Sequence, residues 1–218
     1  IAALGRNIAY RVQAIAALRT PRSLTPTELD PSDVTVIQRD PNHLDLLAFV
    51  KYSNTNWGVQ TLKYHFTLGD KALESQDTFI NPETDRPLIL LNIAQTGTVK
   101  AGLVIDSVDW VRSGTAAIPK PIFSTDRLEL TPTTVTVGSQ SIITMNLRST
   151  VTNRTVYNYL RVEMPIVVTS GDKVVAVDVQ TLDRWPTLTA RTVTSTWSYP
   201  IPAADTARML PQVSQFDT

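Results

Sequence analysis

The sequence predicts an all-β fold, with two tandem β-sandwiches preceded by one short N-terminal α-helix. The chain of 218 residues has 30 threonines and 22 valines, and β-branched side chains fit pleated strands better than helices. From Val34 onward the apolar residues recur with a period of two, whereas before Pro21 they recur every three or four residues. This change of period separates a helical start from a long region of strands.

The N-terminal segment, residues 1–22, is predicted to form an amphipathic or anchor-proximal helix. Alanines between its apolar positions favour a helix, and Thr20 ends it because the residue before a proline avoids helical backbone. The apolar positions form one stripe along the helix, which we expect to bind a partner. This stripe comprises Leu4, Ile8, Val12, Ile15 and Leu18.

The helical segment is also strongly basic. The first 27 residues contain four arginines and no acid, although the whole chain has 20 basic and 20 acidic residues. Three interpretations are open: a helix that packs on a protein partner or on other copies of the chain, a membrane-related helix, and a helix that packs on its own sandwich. We favour the first, because arginines that flank a membrane span normally stay on the cytoplasmic side.

Two series of strands follow the helix, with a linker between them at 112–125. The first series is predicted at 34–39, 44–53, 62–68, 77–80, 88–93 and 103–111. The second series is predicted at 128–137, 141–150, 157–169, 174–182, 188–198 and near 209–216. Pro165 removes one ladder donor, so its strand is expected to lie at a sheet edge or to carry a bulge.

The two series resemble each other. A Gly-Asp-Lys turn occurs at Gly69 and again at Gly171, 102 residues later, and an Asp-Arg step occurs at Asp85 and again at Asp183, 98 residues later. Such a repeat fits two sandwiches of immunoglobulin-like size.

We place these sandwiches at residues 34–112 and 126–218. One large jelly roll of all the strands is the alternative, but it would not need the linker.

Short stretches resemble a known family. Residues 47–58 are similar to the strand and asparagine-bearing turn that open a sandwich repeat in envelope proteins of reduced-genome bacteria, the candidate phyla radiation (Patescibacteria-type). Residues 66–70 match the FxLYD-type signature of that repeat, with Gly69 in place of the tyrosine, and residues 108–110 and 196–202 resemble the ends of its two domains. The resemblance implies two extracytoplasmic immunoglobulin-like domains behind a membrane anchor, with no known catalytic residues.

Composition excludes several classes of chemistry. The absence of cysteine excludes thiolate zinc sites, iron–sulfur clusters and disulfides. A net charge of zero argues against a nucleic-acid binder. No apolar run reaches the roughly 18 residues that a membrane span needs.

Few residues suggest catalysis or metal binding. His43 lies between Asp40 and Asp45, but the chain has no Gly-x-Ser-x-Gly motif, so we interpret it as a surface histidine rather than part of a triad. His65 is interpreted as an ordinary sheet residue. The acidic stretches at 30–33 and 40–45 could offer oxygen ligands to Ca²⁺ but lack the spacing of a calcium loop. We predict no catalytic residue, no cofactor and no metal.

Two tryptophans lie beside turns. Trp57 precedes Gly58 and Trp185 precedes Pro186, positions where an exposed ring could stack on a sugar or a protein. The alternative is that each ring closes the end of a sandwich core.

The sequence thus predicts a non-enzymatic, extracytoplasmic cell-envelope protein. We expect a structural spacer or assembly subunit that acts through its N-terminal helix and its sandwich surfaces. Its expected partners are another protein or further copies of itself, with membrane association through sequence upstream of residue 1, and no nucleic acid. A carbohydrate- or protein-binding adhesin module that uses Trp57 and Trp185 is the alternative.

Overall fold

A computed structural model describes residues 25–113, 120–137, 139–199, 201 and 204–216. The described residues form β-strands and no helix, so the all-β class is confirmed. The predicted N-terminal helix and its stripe lie outside the described residues.

Fourteen strands occur in the described part of the chain, and all of them pair antiparallel. They are β1 (Asp30–Pro31), β2 (Thr35–Asp40), β3 (His43–Lys51), β4 (Trp57–Leu68), β5 (Lys71–Ala72), β6 (Gln76–Ile80), β7 (Arg86–Ala94), β8 (Ala101–Arg112), β9 (Phe123–Val137), β10 (Gln140–Asn153), β11 (Tyr159–Ser170), β12 (Lys173–Trp185), β13 (Ala190–Trp197) and β14 (Thr206–Met209).

The strands form four sheets, each built around one central strand. In sheet 1, β3 lies between β7 and the pair β1 and β2, and in sheet 2, β4 lies between β8 and the pair β5 and β6. In sheet 3, β10 lies between β9 and β13, and in sheet 4, β11 lies between β12 and β14. Sheets 1 and 2 make up the first half of the molecule, and sheets 3 and 4 the second half.

The same strand order occurs in both halves. Six strands of the first half correspond, in chain order, to β9–β14 of the second half. They are β2, β3, β4, β6, β7 and β8. The two predicted Gly-Asp-Lys turns are equivalent in this scheme, since one joins β4 to β5 and the other joins β11 to β12. Gly69 and Gly171 adopt φ of +57° and +56°, a conformation that glycine reaches without a steric penalty.

Each half encloses its own apolar core between its two sheets. The first core includes Leu44, Leu62, Phe66 and Leu88, all of which are fully or almost fully buried. The second core includes Leu147, Val162, Met164, Trp185 and Trp197.

A third apolar cluster joins the two halves. The outer face of sheet 1 contributes Ile37 and Leu47, and the outer face of sheet 4 contributes Val167 and Val177; all four are buried. Phe49, Ile89, Leu91, Val174 and Leu210 pack around them. The layers therefore stack in the order sheet 2, sheet 1, sheet 4, sheet 3.

This third cluster explains why two strands depart from the period of two. On β3, every residue from Leu44 to Ala48 is buried, and on β11, every residue from Met164 to Val168 is buried. A strand with one solvated face alternates apolar and polar residues, whereas a strand covered on both faces is buried continuously. Both central strands belong to the second kind.

The C-terminal tail also ties the second half to the first. The side chain of Asn81 donates a hydrogen bond to the carbonyl of Val213 at 2.7 Å, and it accepts one from the amide of Gln215 at 3.1 Å. The ring of Phe216 lies against Gly58 at the start of β4. The close approach of this ring leaves no space for a side chain at position 58.

Pro165 lies in a central strand rather than at an edge, and this strand carries a bulge, which was the other arrangement that the proline predicted. β11 carries β12 on one side and β14 on the other, and its bulge falls between Val168 and Thr169. The carbonyl of Pro165 accepts a hydrogen bond from Leu210 at 2.9 Å, just after β14 ends. Because proline has no N–H, it cannot donate the second hydrogen bond of this pair, and the regular pairing of β11 with β14 is interrupted here.

The contact between the halves predicts the effect of truncating Leu47. We expect L47A to lower the free energy of unfolding by about 2–5 kcal/mol, since it leaves a cavity in a buried cluster. Urea denaturation followed by circular dichroism should show one transition for the whole chain, shifted to lower urea. The matched control, L160A, removes a side chain that is 80% exposed and should change stability by less than about 0.5 kcal/mol. Two separate transitions would contradict the coupling of the halves.

Candidate functional site at the junction of the halves

A polar groove opens where the two halves meet. Its inner part is a cavity of about 100 Å³ lined by Tyr64, Thr78, Arg86 and Glu163, among others. Its outer part, of about 340 Å³, adds Gln60, Thr61, Phe79, Arg161 and Ser214. Strands β4, β6 and β7 of the first half and β11 of the second provide most of these side chains.

Arg86 is the central residue of the groove. It begins β7 and is only 4% exposed, yet it bears a permanent charge. Its Nη2 donates to Oε2 of Glu163 on β11, and its guanidinium lies 4.4 Å from the centre of the Phe79 ring. A buried charge needs such a partner, so this ion pair fixes the two halves against each other.

Part of the hydrogen-bonding capacity in the cavity is unused. Nε and Nη1 of Arg86 and Oγ1 of Thr78 are buried without a hydrogen-bond partner among the described residues. Glu163 is shared with Arg161, whose Nη2 lies 3.7 Å from Oε1. Leaving these buried groups of Arg86 and Thr78 without a partner costs free energy of folding. Arginine does not lose its proton near neutral pH, so Arg86 is not a general base.

A second polar cluster is buried at the same junction. Asp45 on β3 is 1% exposed, accepts a hydrogen bond from the amide of Asn92 at 2.7 Å, and lies 3.4 Å from Nη1 of Arg39. The Arg39 guanidinium covers the ring of Tyr199 from the second half, 5.2 Å from its centre. Close by, the Ser195 hydroxyl bonds Oδ2 of Asp178 at 2.5 Å.

Burial dominates the electrostatics of this second cluster. It raises the pKa of Asp45 above its usual range, although the Asn92 amide and the Arg39 guanidinium oppose the rise. Burial also raises the pKa of Tyr199, and the nearby carboxylate of Asp45 adds to this effect. Oδ2 of Asp45 and the hydroxyl of Tyr199 both lack a hydrogen bond of good geometry. Leaving these two buried oxygens without such a hydrogen bond costs free energy of folding.

Neither histidine belongs to a hydrolytic triad. His43 Nδ1 pairs with Asp40 at 2.9 Å in an exposed position, as the sequence suggested. On the outer face of sheet 2, Asp106 lies between His65 and Ser75, at 2.9 Å and 3.1 Å. A triad needs the histidine between the serine and the carboxylate, so this order leaves Ser75 without a base. The hydrogen bond from His65 lowers the pKa of Asp106.

The two tryptophans predicted to stack on ligands differ in their positions. Trp185 is fully buried in the second core, where its indole donates to the carbonyl of Thr189 at 3.1 Å. The expectation that Trp185 stacks on a ligand is therefore wrong, because no face of the ring reaches solvent. Trp57 is half-buried against the first core, with Arg112 over its ring at 6.0 Å.

The acidic stretches do not gather into a metal site. In the ranges that the structure describes, no group of three or more His, Asp or Glu side chains is placed to hold a metal ion. Asp40 instead caps the turn before β3, where it accepts the amide of Asn42 at 2.7 Å. Across the same ranges, no helix has the length and apolar character needed to cross a bilayer.

No protein-family model and no curated protein matches this chain at a significant level.

Sequence reasoning missed the charged residues at the junction. Asp45 and Glu163 each interrupt an otherwise apolar run at the centre of a strand. A charge in such a run indicates a buried polar contact, and this signal could have singled out both residues. Arg86 carries no comparable local signal, because it follows the acidic, turn-forming stretch that precedes β7.

The Arg86–Glu163 pair predicts unequal effects of two substitutions. We expect E163Q to destabilise the protein by about 3 kcal/mol or more, because it leaves the charge of Arg86 buried without a counter-charge. R86M should cost less, about 1–2 kcal/mol, since the Glu163 side chain is 24% exposed and keeps Arg161 nearby. Urea denaturation of both single variants and of the double variant measures the interaction free energy of the pair. Equal costs, or a larger cost for R86M, would contradict this assignment.

The raised pKa of Asp45 predicts a pH effect with a defined sign. The folded protein holds the proton of Asp45 more tightly than the unfolded chain, so this residue favours folding at low pH. That contribution is lost as the pH rises through the raised pKa. The D45N variant should therefore gain stability relative to wild type between about pH 4 and pH 7, measured as the difference in urea midpoint. A difference that stays constant, or falls, with pH would refute the raised pKa.

Proposed function

We propose that this chain is a non-enzymatic structural module of the cell envelope, a stiff spacer or assembly subunit rather than an enzyme. The observation that supports this best is the continuous burial of β3 and β11. Two sandwiches joined only by a flexible linker would each keep one face of these strands in water. In this chain the two halves share a core and two polar clusters, which suits a rigid spacer.

The strand order supports two tandem immunoglobulin-like sandwiches. In each half the first, second and fifth main strands form one sheet, and the fourth, third and sixth form the other. This order corresponds to strands A, B and E facing strands C′, C and F of an immunoglobulin-type sandwich. The proposed domains are residues 34–112 and 126–218, joined through the linker. An extracytoplasmic location rests on the resemblance to the FxLYD-type envelope proteins.

We propose that the N-terminal stripe provides the assembly contact, with other copies of the chain or with a membrane-associated protein. Apolar side chains of leucine or isoleucine size contribute about 1.5–3 kcal/mol each when fully buried on a partner. Burying several of these positions together would offset part of the cost of association.

An adhesin-type binding module is the second proposal. Burial of Trp185 removes one of its two predicted stacking residues. The outer part of the groove near Arg86 supports this proposal instead, because its polar lining and the Phe79 ring suit a polar, oxygen-rich ligand such as a sugar. A glycan that binds wild type but not R86M, while both remain folded, would favour this function.

The assembly proposal predicts the effect of replacing the stripe in the intact chain. The variant L4S/I8S/I15S should lose self-association in sedimentation velocity, because it removes most of the apolar surface of the contact. Its urea midpoint should stay close to that of wild type. The control A2S/A3S/A17S changes positions on the opposite side of the predicted helix and should associate as wild type does. Unchanged association of the stripe variant would refute the helix as the contact.

A further inference from the structure

One end of the second half carries an apolar patch in solvent. Two loops carry most of it: the loop between β10 and β11, together with the start of β11, and the loop between β12 and β13. The residue immediately before β9 completes it. Its exposed side chains are Ile122 (59%), Val156 (73%), Tyr157 (46%), Leu160 (80%) and Leu188 (65%). We call these five residues the end patch.

The end patch gathers most of the strongly exposed apolar side chains in the described part of the chain. Nine large hydrophobic residues are at least 39% exposed there, and five of them are in the end patch, including the three most exposed. Single exposed apolar residues are ordinary, but a cluster on a folded protein marks an interaction surface. The other four, Val36, Val104, Val135 and Ile143, lie further along strands.

The loops that carry the end patch are held in place from below. Asn153, which is fully buried, donates to the carbonyls of Tyr157 and Pro186 at 2.8 and 3.2 Å and so joins the two loops. Thr187 adds two bonds between the loops, to the Asn158 side chain at 2.8 Å and to the carbonyl of Thr155 at 2.6 Å. The apolar side chains therefore project from a fixed base.

Two backbone positions at this end of the second half have positive φ. Leu188 and Arg184 both adopt φ of +52°, in the left-handed region that residues other than glycine rarely adopt. In the ladder between β11 and β12, Tyr159 pairs with Trp185 and Arg161 pairs with Asp183. Leu160 and Arg184 lie opposite each other between these two pairs. Strained backbone of this kind often accompanies a functional surface.

The segments that carry the end patch are basic. Residues 154–160 and 183–191 contain Arg154, Arg184 and Arg191 against one acid, Asp183, which gives a net charge of +2. Arg161 lies next to Leu160, and its side chain is 66% exposed. Exposed apolar side chains and a tyrosine on segments rich in arginine suit the layers of an anionic bilayer, where acyl chains lie beneath charged headgroups.

The start of the described chain lies near this same end of the molecule. Thr27 bonds the side chain of Asn54 at 3.2 Å, and the Asn54 carbonyl accepts the amide of Glu83 at 3.1 Å. Glu83 in turn pairs with Lys120 at 2.7 Å, two residues before Ile122. The first described residues therefore lie on the side of the end patch.

We propose that the end patch is a membrane-docking surface for anionic lipid. Leu160, Leu188 and Val156 insert among the lipid chains, and the arginines on the same segments contact the headgroup phosphates. This docking site is separate from the N-terminal stripe, and it stands whether or not the chain acts as a spacer. In this arrangement the end loops of the second half lie against the bilayer.

Vesicle co-sedimentation of the full chain tests this proposal. Wild type should bind phosphatidylcholine vesicles that contain about one-third phosphatidylglycerol, bind pure phosphatidylcholine far less, and dissociate at about 0.5 M salt. The variant V156S/L160S/L188S should weaken binding by at least about tenfold, since each lost apolar side chain is worth roughly that factor when immersed. Its circular dichroism and urea midpoint should match those of wild type.

The matched control is V104S/V135S/I143S, which removes exposed apolar side chains from strands away from the end patch. It should bind vesicles as wild type does. Three results would overturn the proposal: no binding by wild type, equal binding by the patch variant, or a self-association that the patch variant loses while vesicle binding is unaffected. The last result would assign the end patch to a protein contact.

Discussion

The apolar contact between sheet 1 and sheet 4 is the constraint on which the rest of the structure depends. Leu47 and Val167 meet at its centre, on the two strands that are buried on both faces. Because this contact excludes water, the charges at its margins are buried too, and each needs a partner from a neighbouring strand or from the other half. Arg86 finds Glu163, and Asp45 finds Arg39 and the Asn92 amide. The groove and its unused donors are consequences of joining the two halves.

The outward positions of β10 are polar, whereas those of the equivalent strand β3 are apolar. On β3, Leu47 and Phe49 point away from the first core and are covered by the second half. The equivalent outward positions on β10 carry Asn146, Arg148 and Thr150, which lie in or near solvent. Water can satisfy these polar side chains, whereas the apolar side chains of β3 need the cover of the second half.

Local sequence patterns predicted the strands and the repeat well, because these features depend on neighbouring residues. The Gly-Asp-Lys turns at Gly69 and Gly171 were identified from residue type alone. The junction was not predicted, since an apolar run such as that on β3 shows that both faces are covered without showing what covers them. Trp185 was misjudged because its distance from a turn does not reveal which way its ring points. The predicted N-terminal helix lies outside the described residues.

Native-state hydrogen exchange tests the shared core most directly. If the halves form one cooperative unit, the slowest amides of β3 and β11 should open with the same free energy and the same dependence on denaturant, equal to those of global unfolding. Protected amides in the second half should therefore exchange no sooner than those in the first. The amides of β11 could instead exchange through a partial unfolding of lower free energy while those of β3 remain protected. That result would show that the two halves unfold independently, and it would contradict a core shared between them.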